Sequence, residues 1–168
     1  MTSTATTDEA QTSAEDTSYM RACIELARLA AAQDEVPVGA LVVHHHPETG
    51  ARRVIGTGFN IRETAHDPTG HAELIAIRRA GLALGQWRLN ECTLYVTLEP
   101  CPMCSGAAYW TRIGRIVYGA RDDKRGGLDF HGKRDEGLLH PKTELVGGVH
   151  EEECAELLTS FFRSKRKN

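Results

Sequence analysis

The chain has 168 residues, 40% of them hydrophobic and 26% charged, which fits one globular domain and leaves too little for two. Twenty Lys and Arg face 23 Asp and Glu, and this net charge of −3 argues, over the whole chain, against a basic nucleic-acid binder. No apolar run approaches the roughly 18 residues of a membrane span, the N-terminus lacks the basic and apolar regions of a secretory signal, and five irregularly spread cysteines make no disulfide framework, so a reducing cytoplasm is the expected setting.

Half of residues 1–18 are Ser or Thr, four are acidic and none is basic. Such a segment buries too little to offset its ordering entropy and is expected to be a disordered tail, with the domain spanning 19–168. Without the tail the chain holds 20 basic against 19 acidic residues, a balance that no longer opposes RNA. From Tyr19, apolar residues at 20, 24, 27 and 31 follow a helical period, with Ser18 as the candidate N-cap. Residues 36–45 and 53–60 are extended runs around Pro47-Glu48-Thr49-Gly50 and predict a β-hairpin. A helix is predicted over 71–84, a strand over 92–97, a helix over 102–112 and a strand over 115–119. A polar, Gly-containing loop covers 122–141, and a short strand (143–146) and a helix (151–166) close the chain. Strands alternating with helices define an α/β layer fold around one sheet.

Two motifs stand at helix starts. His71-Ala72-Glu73 follows the breakers Asp67-Pro68-Thr69-Gly70, and Pro100-Cys101-Pro102-Met103-Cys104 joins a strand to a helix. Cysteines three apart on a first helical turn share a side and can grip one ion, and a helix N-terminus favours their thiolates. Pro102 suits the first turn, where its missing N–H has no partner to lose. One imidazole and two thiolates leave a tetrahedral zinc one open position, which is the catalytic pattern; a structural site has four protein ligands. Glu73, two residues after His71, is spaced to face a bound water and carry its proton. Alone, Cys-x-x-Cys also serves redox or structural zinc chemistry, and His-x-Glu carries no meaning. Cys23, Cys92 and Cys154 read as buried structural thiols. His44-His45-His46 reads as a solvated strand end, because neighbours on a strand point to opposite faces.

Together, His-x-Glu and Pro-Cys-x-x-Cys form the signature of zinc-dependent nucleobase deaminases. The chain resembles the bacterial tRNA-specific adenosine deaminases, of the cytidine deaminase-like superfamily. The matching stretches are 35–40, 66–73, 93–107, 112–115 with 118–122, and 153–155 with 161–163. The zinc motif specifies only the superfamily; Thr97-Leu98-Glu99-Pro100-Cys101 and Phe161-Phe162-Arg163 point to the tRNA branch.

The resemblance implies a three-layer α/β/α cytidine deaminase-like fold around a mixed sheet of about five strands. It implies one zinc per subunit on His71, Cys101 and Cys104, with Glu73 as proton shuttle for a zinc-activated water that converts adenine to hypoxanthine. The implied substrate is the wobble adenosine, position 34, of a tRNA anticodon stem-loop, with tRNA-Arg expected, and the implied assembly is a homodimer. Asn60 matches the position whose amide bonds the base, and an amide offers donor and acceptor together; a turn-closing Asn is the alternative. Backbone N–H groups near Leu98, Glu99 and Cys101 are further candidates, as are Arg121 and Asp122 at a strand end. Phe161 and Phe162 are expected as core or pocket wall, placed by the resemblance close to the anticodon loop. Arg163, Lys165 and Arg166 offer phosphate contacts, or a solvated helix end that complements the dipole. Two departures stand out: Gly70 where Ala is usual, and Arg125–His131 in place of a Gly-Ala-x-Gly-Ser-Leu run. Within the superfamily, a guanine or cytosine deaminase is the alternative activity, and Ala108-Tyr109-Trp110 has that flavour. A zinc-stabilised binding module is the alternative class; Glu73 argues against it.

Overall fold

In the computed structural model, which describes residues 12–126 and 139–167, the elements run α1 (Ala14–Ala32), β1 (Gly39–His45), β2 (Arg52–Phe59), α2 (Ala72–Leu84), β3 (Cys92–Leu98), α3 (Pro102–Thr111), β4 (Arg115–Ala120), β5 (Glu144–Val146) and α4 (Glu151–Arg166). The sheet order is β2-β1-β3-β4-β5. β1 is antiparallel to β2 and β3, whereas β3, β4 and β5 are parallel neighbours, so the sheet is mixed as expected.

Strand alternation divides the core in two. Ala40, Val42, Leu94, Val96 and Ile116 face α2 and α3; Leu41, Val43, Tyr95 and Val117 face α1 and α4. The result is a three-layer α/β/α sandwich. Glycine brings α2 close to the sheet: a Cβ at Gly56 would lie 2.3 Å from the Ala76 carbonyl oxygen, and one at Gly58 2.5 Å from that of Ala72. This contact sets where the start of α2 sits.

The start of α1 corrects the expected tail boundary. Ser13, not Ser18, is the N-cap: its Oγ accepts from the Asp16 N–H at 3.1 Å, and the Asp16 carboxylate accepts from the Ser13 N–H at 3.1 Å. Asp16 is 1% exposed. Its carboxylate receives both terminal nitrogens of Arg115, at 2.6 and 2.8 Å, and the Tyr95 hydroxyl at 2.8 Å. Residues 14–18 therefore belong to the domain, since a long-range ion pair supplies what their composition lacks. Glu15 also pairs with Arg52. From Ser13 onward the chain holds 20 basic against 21 acidic residues. Residues 1–11, and 127–138 of the expected loop, lie outside the described residues. Among the described residues no helix is long and apolar enough to cross a membrane.

Candidate active site

β2, β3 and β4 all run toward one sheet edge, where β2 gives way to Asn60, β3 to Glu99 and Cys101, and β4 to Arg121. Two helices begin there. His71 is the N-cap of α2 and Cys101 the N-cap of α3; both have extended backbones (ψ 142° and 171°), and neither makes a side-chain capping bond. Each motif thus stands half a step outside its helix, which leaves the side chain available to the site. Pro102 opens α3, and the Ser105 hydroxyl ties it to the Pro100 carbonyl at 3.2 Å.

His71 Nδ1 lies 3.6 Å from Cys101 Sγ and 3.5 Å from Cys104 Sγ, and the three donor atoms fall within 4.8 Å of one another. For Zn–S of about 2.3 Å and Zn–N of about 2.0–2.1 Å in a tetrahedron, the N···S separation works out at about 3.6 Å. The donor set therefore fits zinc in spacing as well as in chemistry, through Nδ1. A hydrogen bond from Cys104 holds the Cys101 thiol down at about 4, against the opposing effect of burial and with help from His71. Cys104 keeps the proton of the pair. The bond between Cys101 and His71 in turn raises the imidazole.

Glu73, in the first turn of α2, is 4% exposed, and burial pushes its carboxyl up to about 7. That value suits a group that accepts and returns a proton near neutral pH. Asn60 is 7% exposed, and its Oδ1 accepts from the Ala72 N–H at 2.9 Å. The residue caps the helix that its neighbour His71 leaves uncapped, and this bond fixes the oxygen inward.

Other expected site residues have different placements. The Glu99 N–H donates to the Ala120 carbonyl at 2.8 Å and is spent in the sheet. Its side chain is buried against Gly126. Leu98 is half-buried and packs into both core layers. Asp122 turns its carboxylate on its own loop, accepting from the Lys124 and Arg125 N–H groups at 3.2 and 3.0 Å, while Arg121 is exposed. Phe161 and Phe162 are not core residues: Phe162 is 46% exposed and meets Phe161 edge to face at 5.4 Å. On α4, the Lys165 ammonium pairs with Asp34 and sits 5.5 Å from the Phe161 ring centre, and Arg166 Nε donates to the Phe162 carbonyl at 3.4 Å; Arg163 is exposed. The Lys165–Asp34 pair brings the end of α4 to the end of α1.

Cys23, Cys92 and Cys154 are buried, and burial pushes Cys92 and Cys154 up to about 12. In the histidine tract, His45 Nε2 pairs with Thr93 Oγ1 at 3.0 Å, while His44 and His46 sit together on the opposite face with ring centres 6.2 Å apart. His46 is exposed, and His44 and His45 are half-buried, so the expected solvated end begins two residues after the start of the tract. Sequence reasoning missed Glu35, which is 1% exposed beside the site loop. The available signal was an acidic residue directly before the apolar run Val-Pro-Val-Gly.

Residues 13–120 match the cytidine and deoxycytidylate deaminase zinc-binding region, and the chain belongs to that family of deaminases. Within it, the chain is 44% identical over 154 residues to a tRNA-specific adenosine deaminase of Haemophilus influenzae, covering 90% of this chain and 86% of that one, and so falls among the tRNA-specific adenosine deaminases. A structure from studies of A-to-I editing by tRNA:A34 deaminases at the wobble position superposes with a TM-score of 0.73 at 40% identity, covering 84% of this chain and 99% of the other. A guanine deaminase from Bacillus subtilis gives a TM-score of 0.57 at 35% identity, covering 76% and 72%.

Proposed function

We propose that this protein hydrolyses the wobble adenosine of a tRNA anticodon to inosine, releasing ammonia. The observation that carries this reading is the His71 Nδ1, Cys101 Sγ and Cys104 Sγ triad with the buried Glu73 carboxyl beside it. His71, Cys101 and Cys104 would hold one zinc per subunit, and that ion would supply the Lewis acidity that lowers the pKa of water toward neutrality. Glu73 takes a proton from the attacking water and gives it to N1 of the adenine. The same carboxyl then moves a proton to the departing amine at C6, so water and adenosine become inosine and ammonia. The Asn60 amide NH2 donates to a purine acceptor and orients the ring, held in place by its bond to Ala72. The exposed cations Arg163 and Arg166, with Lys165 exchanging its Asp34 partner, meet phosphates of the anticodon stem-loop.

The greater identity toward the tRNA deaminases, 44% and 40% against 35%, supports RNA over free guanine as substrate. The expected substrate is tRNA-Arg with adenosine at position 34, in the cytoplasm. A homodimer completes the assembly. Met103, Gly106, Ala107 and Trp110 line one face of α3 beginning beside Cys101, and Met103 and Trp110 are 40% and 75% exposed, an apolar stripe suited to a second copy. The test is incubation of the zinc-loaded protein with an A34 tRNA-Arg transcript, with inosine read as guanosine on sequencing. Rapid release of ammonia from guanine or cytidine, with the tRNA unchanged, would replace this reading with the other superfamily activity.

A further inference from the structure

Asn60 and His71 are the two ends of one loop, closed where the Ile61 N–H donates to the Gly70 carbonyl at 3.0 Å. The span between them is mostly exposed, from Arg62 through His66, and His66 takes a left-handed backbone (φ 51°). A surface loop of this kind gains little from apolar packing. Its tip is nevertheless fixed from the interior. Glu35 follows the end of α1, and its Oε1 accepts from both the N–H and the Oγ of Thr64, each at 2.6 Å. Burial raises the Glu35 carboxyl, but the bonds from Thr64 and the Glu63 backbone, with the nearby Arg62 charge, hold it below its ordinary value.

Glu35 is rigidly placed. Its own N–H donates to the Ala30 carbonyl at 3.0 Å, and three residues on, the Val38 carbonyl accepts from the Asn60 N–H at 3.2 Å. One short segment therefore holds the tip of the loop through Glu35 and its root through Val38. The preceding residue, Asp34, holds Lys165 at the end of α4.

We propose that Glu35 is a positioning residue: acting through Thr64, it locks the 61–70 loop as a preformed rim of the substrate pocket, at a set distance from the basic end of α4. The role rests on the RNA-editing reading above. Glu35 touches neither the His71-Cys101-Cys104 cluster nor Glu73 in any bond of the structure. Its loss therefore frees the rim, which binding must then order, and leaves the proton chemistry intact. Arg62, whose charge reaches both Glu35 and His71, is the cation this rim presents to RNA.

The test compares zinc-loaded wild type, Glu35→Gln, Thr64→Val, Thr64→Ser and the Glu35→Gln/Thr64→Val double variant on an A34 anticodon stem-loop. Expected is a KM raised roughly tenfold in Glu35→Gln and severalfold in Thr64→Val, with kcat within about twofold, as loss of a charge-assisted bond implies. Thr64→Ser restores wild-type KM, and the double variant is no worse than Glu35→Gln. An unchanged KM, a fall confined to kcat, or additive singles overturns the role; Thr64 is exposed, so its variants read out even where Glu35→Gln folds poorly. Hydrogen exchange at residues 62–66 supplies a readout without substrate, with at least tenfold faster exchange expected in Glu35→Gln and unchanged exchange counting against the lock. Wild type that makes no inosine overturns the RNA-editing reading, and the lock is then judged on exchange alone.

Discussion

Replacing Asp16 by Asn tests how α1 is held on the sheet, and the structure supplies the magnitude. Burial by itself raises the Asp16 carboxyl. The Arg115 guanidinium, the Ser13 N–H and the Tyr95 hydroxyl outweigh it and bring the group from its usual 3.8 to about 2. At 1.36 kcal/mol per pH unit the difference is worth about 2 kcal/mol of stability. The sign follows from the direction. A carboxyl depressed by folding contributes fully above its unfolded value, near pH 4, and loses that contribution as the pH falls toward 2. Urea unfolding of the zinc-loaded protein at intervals from pH 7 down to 2.5, for wild type and Asp16→Asn, measures this. At pH 7 the variant is expected to be less stable by at least about 2 kcal/mol, because Arg115 keeps only its 3.4 Å contact with Glu144. The gap should narrow below pH 4, as wild-type Asp16 takes up its proton. Parallel stability curves over the whole range would show that the Asp16–Arg115 pair does not anchor the helix.

Two further outcomes follow from the site and its surface. Cys104→Ser removes one of the two sulfurs facing His71 Nδ1, so the purified variant is expected to lose most of its zinc on dialysis against a chelator that leaves wild type loaded, as measured by atomic emission. Trp110→Glu places a charge on the exposed stripe of α3, and for the proposed homodimer sedimentation at micromolar concentration should show a dimer for wild type and a monomer for the variant; equal masses for the two would count against this interface.

The metal cluster was legible in the sequence because each half is local. His71 and Glu73, and Cys101 and Cys104, lie within one turn, and the breakers before them mark where the helices start. The layer order was legible for the same reason, since β1 and β3 carry alternating apolar residues for both faces of the sheet. What escaped depends on partners distant in sequence. Ser13 to Ser18 has the composition of a tail, and its helix start is held by partners as distant as Tyr95 and Arg115, the latter 99 residues from Asp16. Asn60 serves as cap for a helix that begins 12 residues later, and Glu35 meets Thr64 across 29 residues. Phe161 and Phe162 read as core or pocket wall by type. On α4 it is Leu157 and Leu158, one turn earlier, that pack against the core, while Phe162 is left exposed.

Glu73 is expected to move protons in a zinc site that converts A34 of tRNA to inosine. The most direct measurement is single-turnover deamination of an A34 tRNA-Arg transcript by wild type and Glu73→Gln, with zinc content measured on the same samples. Wild type should form inosine at position 34 alone. Glu73→Gln should retain its zinc and slow the reaction by roughly 10²–10⁴-fold, the usual contribution of a positioned acid–base. Inosine formation at the wild-type rate in a zinc-loaded Glu73→Gln protein would show that Glu73 carries no proton in the reaction.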